Sequence, residues 1–359
     1  MIGNKKRDNS VTIAKAIAII LMVMGHSGCP DSINHYLGMI IMPLFFFMSG
    51  YCFKEIYLEA PKEYIQKRIK GVYWPYIKWG IFFLLITNLL VSSQILPESE
   101  RISNSQYPPI IGNILFSMKG VNSMLRGYWF LNSLFFGSLI FYLFKQTKIN
   151  LLAQGIILLI ATIILGYFKT NIHVWNFNWL NIFAAFFIWT GNYYKTIKLN
   201  IHQNWLFIIT SSLCIAIINI FWYSSMTNCP SWGIPIYAAC AILGTLMIFG
   251  ISFHIKDFNS RIIKFLIYTG GYTFNVLTWH FLSMKLITLL IIIIYNLPYS
   301  TLKDFPVIEK YSFPNWWIIY TIAGVLIPIA GTYIFHHIRS EIKFFPPILY
   351  NLLNKSNSK

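Results

Sequence analysis

The sequence predicts an all-α fold: a polytopic integral membrane protein built as a helical bundle of about ten transmembrane helices. Hydrophobic residues make up 56% of the 359 residues, and charged residues make up only 11%. Long apolar runs recur, such as "YIKWGIFFLLITNLLVSS" and "LLAQGIILLIATIILGYF". Runs of this length match a hydrocarbon core of about 30 Å, and a soluble fold has no use for so many of them.

Ten apolar segments are long enough to be read as membrane spans. In chain order they lie near residues 11–28, 36–53, 73–93, 127–144, 151–168, 179–194, 205–223, 232–253, 272–297 and 315–335. The segments between them are too short to hold a second domain. We therefore expect residues 1–359 to form a single integral membrane domain, with a short N-terminus at 1–10 and a C-terminal tail at 336–359.

The positive charge follows this topology. The formal net charge is +17, yet the predicted outer loops hold few of the basic residues, namely Arg101, Lys119, Arg126, Lys169, Lys303 and Lys310. By the positive-inside rule, this distribution predicts that both termini are cytoplasmic. The excess of charge indicates topology and attraction to anionic head groups, and it argues against a nucleic-acid partner.

Three segments between the spans have a distinct composition. Residues 54–71 carry charge at helical spacing, and we expect them to form a cytoplasmic surface helix. Residues 95–126 form the longest outer loop and are rich in turn-forming residues. Residues 256–272 end in a Gly270-Gly271 pair that marks the beginning of the ninth span.

The termini and the cysteines exclude several protein classes. The N-terminal "NKKR" is followed by no small-residue cleavage site, so it is expected to remain attached rather than act as a signal peptide. The five cysteines lack the spacing of metal ligands. Two free thiols at Cys29 and Cys229 are favoured over a disulfide between them, and no metal site is expected.

The ionisable residues inside the spans are candidates for function, because charge is costly within a bilayer. They are Lys15, His26, Lys78, His280 and Lys285. Lys15 and His26 are eleven residues apart, which on a helix is about 20° past three full turns and about 16 Å of rise. Both therefore lie on one face of the first span. A structural role is favoured for Lys78, which can extend to the membrane surface.

Four segments together resemble a known family. They are "KAIAIILMVMGH" (15–26), "MPLFFFMSGYCF" (42–53), "KRIKGVYWPY" (67–76) and, later, "GYWFLNSLFF" (127–136) with "TGGYTFNVLTWHFL" (269–282). In this order they resemble the acyltransferase type 3 family of membrane proteins, especially its fucose O-acetylase-like branch. Two positions depart from the family pattern, because Lys15 replaces an Arg and Gly71 replaces the second Arg of an Arg-x-x-Arg pair.

The resemblance implies an enzyme that moves an acetyl or other short acyl group from acyl-CoA to a hydroxyl of a saccharide. No permanently bound cofactor is implied, and acetyl-CoA would be a co-substrate. Lys67, Arg68 and Lys70 are then candidates for binding the phosphates of the donor. Lys15 and His26 are the catalytic candidates, with His26 either a general base or the carrier of an acyl-imidazole.

Further residues are assigned to the site, each beside a structural alternative. Asp31, five residues after His26, either orients that histidine or caps the following helix. Ser49 and Tyr51 lie in the aromatic "PLFFFMSGY" run, where small residues also permit close helix packing on the first span or approach of the backbone to a ligand. Trp129 and Asn132 are candidates for saccharide binding, although Trp is also common at membrane interfaces. His280 is expected to line the same cavity.

The leading hypothesis is thus a multi-pass acyltransferase of the inner, cytoplasmic membrane that modifies a cell-surface saccharide or its lipid-linked precursor. We expect it to act alone or with a separate partner in glycan assembly. A transporter or flippase that exports a polysaccharide or a lipid-linked sugar is the alternative. A sensory or scaffolding role is disfavoured, because it would not need Lys15 and His26 on one buried face.

Overall fold

The computed structural model describes residues 8–172 and 174–342. Two short strands, β1 (Asn171–Ile172) and β2 (Phe177–Asn178), form an antiparallel hairpin in which Asn171 pairs with Asn178. The remaining regular structure is helical. The helices are α1 (Asn9–Gly25), α2 (Asp31–Tyr51), α3 (Pro61–Arg68), α4 (Trp74–Ser92), α5 (Tyr107–Gly112), α6 (Trp129–Gln146), α7 (Leu151–Tyr167), α8 (Trp179–Thr196), α9 (Trp205–Phe221), α10 (Ile234–Ile255), α11 (Arg261–Gly271), α12 (Thr273–Ile294), α13 (Glu309–Tyr311) and α14 (Trp317–Ile342).

A helix lies at each of the ten positions where a span is predicted. Among the described residues, six helical stretches are long and apolar enough to cross a membrane: Asp31–Tyr51, Pro61–Ser92, Ser123–Gln146, Ser231–Ile255, Thr273–Ile294 and Trp317–Arg339. Three more helices, α1, α7 and α9, are apolar but shorter. The protein is therefore a helical membrane protein.

The count of ten spans and the cytoplasmic location of the termini stay predictions. Several basic residues that support them lie outside the described residues, namely Lys5, Lys6, Arg7, Lys343, Lys355 and Lys359. His173 also lies outside them. Because the orientation is a prediction, we define the basic end of the bundle as the end at which α1 begins and α2 ends.

Helices α1 and α2 lie at the centre of the bundle. Helix α2 packs against α1, α8 and α10, while α1 also packs against α11, α12 and α14. Ala14, Ala16 and Ala18 of α1 are fully buried, and small side chains let neighbouring helices approach closely. Polar groups on these two helices therefore have protein, rather than lipid, around them.

The crossing of α2 and α8 is the closest of these contacts. A Cβ added to Gly50 would lie 1.7 Å from the carbonyl oxygen of Ile188, and one added to Gly191 would lie 1.9 Å from that of Phe47. Two glycines thus face each other's backbones across the crossing. The small residues of the "MSGY" segment were expected to permit packing on the first span or approach of the backbone to a ligand, and the tight contact is instead with α8.

Residues 54–71 differ from the separate surface helix that the sequence predicts. A 3₁₀ turn at Glu55–Leu58 precedes α3, which runs through a π-helical turn at Ile69–Tyr73 directly into α4. Pro75 has no N–H group, and its ring crowds the carbonyl four residues earlier. The π turn just before Pro75 gives that ring room, so the helix continues as one rod instead of ending.

Candidate functional site

An elongated cavity of about 320 Å³ opens among α1, α2, the α3–α4 rod, α6 and α12. Helix α1 contributes Lys15, Ile19 and Met22, which are spaced by four and three residues and so share one face. Helix α12 contributes Phe274 and Leu277 on the other side. The lining is mostly apolar and aromatic, with a few polar groups placed along its length.

Basic side chains lie where the cavity meets the basic end of the bundle. Lys15, Lys67 and Arg68 all line it; we call these three the basic mouth. The Nζ of Lys67 donates a hydrogen bond of 2.9 Å to the hydroxyl of Tyr57. The guanidinium of Arg68 lies over the ring of Tyr64 at 5.0 Å from its centroid, and its Nε is buried without a hydrogen-bond partner among the described residues. The mouth therefore offers positive charge and an unused donor.

Two further residues at the mouth were not predicted from the sequence. Lys195, in the last turn of α8, donates a 2.7 Å hydrogen bond to the carbonyl of Phe53. The thiol of Cys52 lines the cavity, and Lys15, Lys195 and Lys67 all interact with it electrostatically. A basic last turn on α8 is visible in the sequence, but only the fold brings it to α2. Lys70, by contrast, is exposed and does not line the cavity.

Ser49 is the polar group in the middle of the cavity wall. It lines the cavity, and its Oγ is buried with no hydrogen-bond partner in the described part of the chain. The adjacent Gly50 holds α2 against α8, and Ser49, about 100° further around the helix, faces the cavity instead. Tyr51 does not line the cavity, and its ring packs edge-on against Phe249 of α10, 5.1 Å between centroids.

Two histidines lie one helical turn beyond the apolar end of the cavity. Met22 and Leu277 are the last lining residues on α1 and α12, and His26 and His280 follow them by four and three positions. The two imidazoles stack with their centroids 5.6 Å apart, and Phe281 lies 5.0 Å from His26 and 3.9 Å from His280. The pair is thus packed together against an aromatic ring.

The hydrogen bonds of His280 fix its tautomer. Its Nδ1 lies 3.1 Å from the carbonyl oxygen of Val276 and 3.0 Å from that of Leu277. A carbonyl only accepts hydrogen bonds, so Nδ1 must carry the hydrogen and, in the neutral ring, Nε2 must carry the lone pair. Nε2 is buried and has no partner among the described residues. His280 therefore presents an unused acceptor beside His26.

The charged residues near His26 differ from the predicted pair. Asp31 is the first residue of α2 and is exposed, and no hydrogen bond joins it to His26 among the described residues. Arg126 interacts electrostatically with His26. It lies in the helical turn Ser123–Tyr128 that packs on α12, where the Tyr128 hydroxyl is 2.8 Å from the Thr278 hydroxyl. An orienting role for Asp31 stays a prediction.

Trp129 and Asn132 begin α6 but do not line the cavity, whereas their neighbours Phe130 and Leu131 do. The amide nitrogen of Asn132 donates to the carbonyls of Ser117 and Trp175, each at 3.3 Å. Its oxygen accepts a 2.8 Å hydrogen bond from Asn181 of α8. Asn132 therefore fastens the segments that hold Ser117 and Trp175 to the bundle, and a saccharide contact by Trp129 or Asn132 stays a prediction.

Tyr76 is a further buried polar residue that the sequence did not single out. It lies one turn after Val72, a cavity-lining residue, and its ring is 5.5 Å from that of Tyr128. Its hydroxyl is buried without a partner among the described residues.

No group of three or more His, Cys, Asp or Glu side chains suited to a metal ion occurs among residues 8–172 and 174–342. The five cysteines are all unbridged.

The arrangement can bind an anion at one end and handle a proton at the other. Comparison with known protein families indicates what chemistry this arrangement performs. A family model described as an acyltransferase domain matches residues 8–335. No curated protein and no solved structure matches the chain.

Proposed function

Because the chain belongs to the acyltransferase type 3 family and is a membrane acyltransferase, we propose that it transfers a short acyl group, acetyl in the first instance, from acyl-CoA to a saccharide hydroxyl. The observation that carries this proposal is the shape of the site. One cavity runs from the basic mouth at Lys15, Lys67 and Arg68 toward a stacked pair of histidines, which lies one helical turn beyond the apolar end of the cavity. Its ends match the two ends of an acyl-CoA.

The donor would bind with its phosphates at the basic mouth. Arg and Lys make charge-assisted hydrogen bonds to phosphate oxygens, and the Nε of Arg68 has no protein partner among the described residues. The pantetheine arm is long and thin and carries amide groups. A narrow cavity with one unpaired hydroxyl at Ser49 suits such an arm better than it suits a sugar chain.

The histidine pair would perform the proton transfer. As the acceptor hydroxyl attacks the thioester carbonyl carbon, its proton passes to a neutral imidazole nitrogen of His26. The carbon–sulfur bond breaks, and the CoA thiolate leaves and takes up a proton. His280 would help hold the acceptor through its unpaired Nε2, which can accept a hydrogen bond from a second hydroxyl of the saccharide. In a second route the neutral imidazole of His26 attacks the thioester carbonyl carbon, the carbon–sulfur bond breaks, and the leaving CoA thiolate takes the imidazole proton. The saccharide hydroxyl then attacks the acyl-imidazole, takes the acyl group and gives its proton to the released imidazole.

The acceptor would approach from the end of the bundle that carries His26 and Arg126. With the predicted topology this is the outer side, so the acceptor would be a cell-surface saccharide or its lipid-linked precursor in the cytoplasmic membrane. A separate protein of glycan assembly would supply or receive it. The donor would remain on the cytoplasmic side.

The test is the release of CoA from labelled acetyl-CoA by the purified full-length protein in liposomes, with and without saccharide acceptors. We expect acceptor-dependent release, and we expect His26→Ala to lower it by about 10²-fold or more. His254→Ala is the matched control, because His254 stacks on Trp205, lies 3.0 Å from the carbonyl oxygen of Gln203 and does not line the cavity. Transport of a labelled glycan without any CoA release would instead favour a transporter or flippase.

A further inference from the structure

A second and larger opening lies on the other side of α12. It has a volume of about 960 Å³ and runs between α4 on one side and α12 with α14 on the other. Its lining begins with Trp74 and His336 at the basic end, and it reaches Ile95 and Leu302 beyond the far ends of the helices. We call it the α4–α14 groove. It extends along the full length of α4, about 27 Å at 1.5 Å per residue.

The groove is lined mainly by apolar and aromatic side chains. The indole rings of Trp79 and Trp279 meet edge-on, 5.0 Å between centroids, and Phe82 and Phe83 pack on Trp279. Large apolar side chains at its rim face outward, including Trp74 and Phe335, each 61% exposed, and Leu286, 55% exposed. In a bilayer such a rim opens to hydrocarbon, so lipid chains have direct access.

One wall of the groove has space for a chain to lie against it. A Cβ added to Gly331 of α14 would meet no atom within 4 Å. Pro328 and Thr332 line the same stretch of α14. The hydroxyl of Thr332 accepts a 2.8 Å hydrogen bond from the side-chain amide of Asn275, which ties α14 to α12 at the base of the groove. The space therefore lies beside two helices, α12 and α14, that a hydrogen bond holds together.

The two ends of the groove differ in charge. At the far end, Lys285 donates to the carbonyls of Leu302 and Asp304, and the carboxylates of Asp304 and Glu100 act on it electrostatically. Near the basic end, Lys78 is exposed, its Nζ lies 5.1 Å from the ring centroid of Trp79, and it forms no salt bridge with a described residue. No carboxylate lines the described part of the groove. Unbalanced positive charge thus lies at one end only.

From this shape and charge we propose that the α4–α14 groove binds one phosphate-bearing lipid, with its phosphate at Lys78 and its hydrocarbon chain lying along α4 and α14. A long apolar groove complements a hydrocarbon chain, and a single cation at its basic end complements an anionic head group. A membrane phospholipid and a polyprenyl phosphate share this chemistry. The site is separate from the cavity that would hold the acyl donor, and it does not depend on acyl transfer.

The proposal is tested by photo-crosslinking of the purified full-length protein in detergent micelles. The probes are phosphatidylglycerol and a polyprenyl phosphate, each with a diazirine near the end of its chain, and the uncharged diacylglycerol and polyprenol for comparison. Crosslinked peptides are mapped by mass spectrometry. We expect labels on α4, α12 and α14 in preference to α7 and α9, whose exposed apolar faces report ordinary lipid contact.

Two pairs of variants sharpen the test. Gly331→Phe fills the groove and should lose most of these crosslinks. Gly112→Phe is its control, because Gly112 of α5 also has open space around it but lies outside the groove. Lys78→Gln should reduce labelling by the phosphate-bearing probes by about twofold to fivefold relative to the uncharged probes, which is the range for an exposed ion pair. Lys303→Gln, in an outer turn, should not.

Equal labelling of all lipid-facing helices, or unchanged labelling of Gly331→Phe, would overturn the proposal. Stronger labelling by polyprenyl phosphate than by phosphatidylglycerol would identify a lipid carrier as the natural occupant. The reverse order would identify a membrane phospholipid. Because crosslinking needs no turnover, its result stands apart from the assay of CoA release.

Discussion

The imidazole of His280 lies stacked on that of His26, with the two ring planes inclined by 27°. The residues come from α12 and α1, which are distant in the chain but adjacent in the bundle. With Nδ1 of His280 bonded to backbone carbonyls, its Nε2 is the nitrogen left for a substrate. The side chain that the fold places against His26 is therefore that of a second histidine.

This geometry predicts that His280→Asn and His280→Gln differ in effect. Asn can keep the donor that bonds the carbonyls of Val276 and Leu277 but has no acceptor in the place of Nε2. Gln extends far enough to place an acceptor there. If Nε2 only accepts a hydrogen bond, His280→Asn should lower kcat by about tenfold or more, the cost of about 1.5 kcal/mol for one lost hydrogen bond, and Gln should restore part of it. Steady-state kinetics on both variants, with their melting temperatures as a control for folding, measure this difference. Equal, wild-type kcat in both would remove His280 from the site.

Ser49→Ala should make the protein more stable and a poorer enzyme. The hydroxyl is buried without a partner, so its removal relieves a desolvation cost of about 1–3 kcal/mol in the protein without substrate. The same change should raise the KM for acyl-CoA if the hydroxyl bonds the donor. Thermal unfolding in detergent and donor titrations give the two readings. Ser138→Ala is the control, because the Ser138 hydroxyl already donates a 2.7 Å hydrogen bond to Phe135, and that variant should lose stability without a change in KM.

Arg68 and Lys70, two residues apart, should behave differently. Arg68 lines the cavity, whereas Lys70 does not, although the sequence assigned both to the donor. Arg68→Ala should raise the KM for acyl-CoA by about tenfold, in keeping with a charge-assisted hydrogen bond of about 1.5–3 kcal/mol, and leave the KM for the acceptor unchanged. Lys70→Ala should change neither. Equal effects of Arg68→Ala on both substrates would contradict a donor site at the basic mouth.

Gly50→Ala should be strongly destabilising, because its Cβ would overlap the carbonyl of Ile188. The helices would have to separate, and overpacking of this kind costs about 1–3 kcal/mol or more. Gly71→Ala is a matched control in a helical stretch, since a Cβ there meets nothing within 4 Å. The melting temperatures of both variants in one detergent check the prediction. A Gly50→Ala protein as stable as wild type would mean that α2 and α8 do not cross so closely.

The positions of the helices were predicted well from the sequence, whereas the helices that pack against each of them were not. Long apolar runs identify where helices lie, and the spacing of Lys15 to His26 identifies a shared face. Neither carries information about which helix lies opposite. The contact of Gly50 with α8, the approach of Lys195 to Phe53 and the stacking of His280 on His26 all depend on that arrangement.

The continuity of α3 with α4 was missed for a related reason. Charge at 54–71 and a proline at Pro75 are typical of a surface helix that ends before a span. A π turn removes the steric conflict without breaking the rod, and it leaves no clear composition signal in the sequence.

Phe274 lines both the cavity and the α4–α14 groove. At that point a single aromatic side chain separates the cavity, which would hold a water-soluble donor, from the groove, which faces the lipid phase. A smaller residue at this position would open a passage between the cavity and the groove, so that the molecules bound in them could meet. We therefore expect the size of the side chain at position 274 to determine whether the cavity and the groove stay separate.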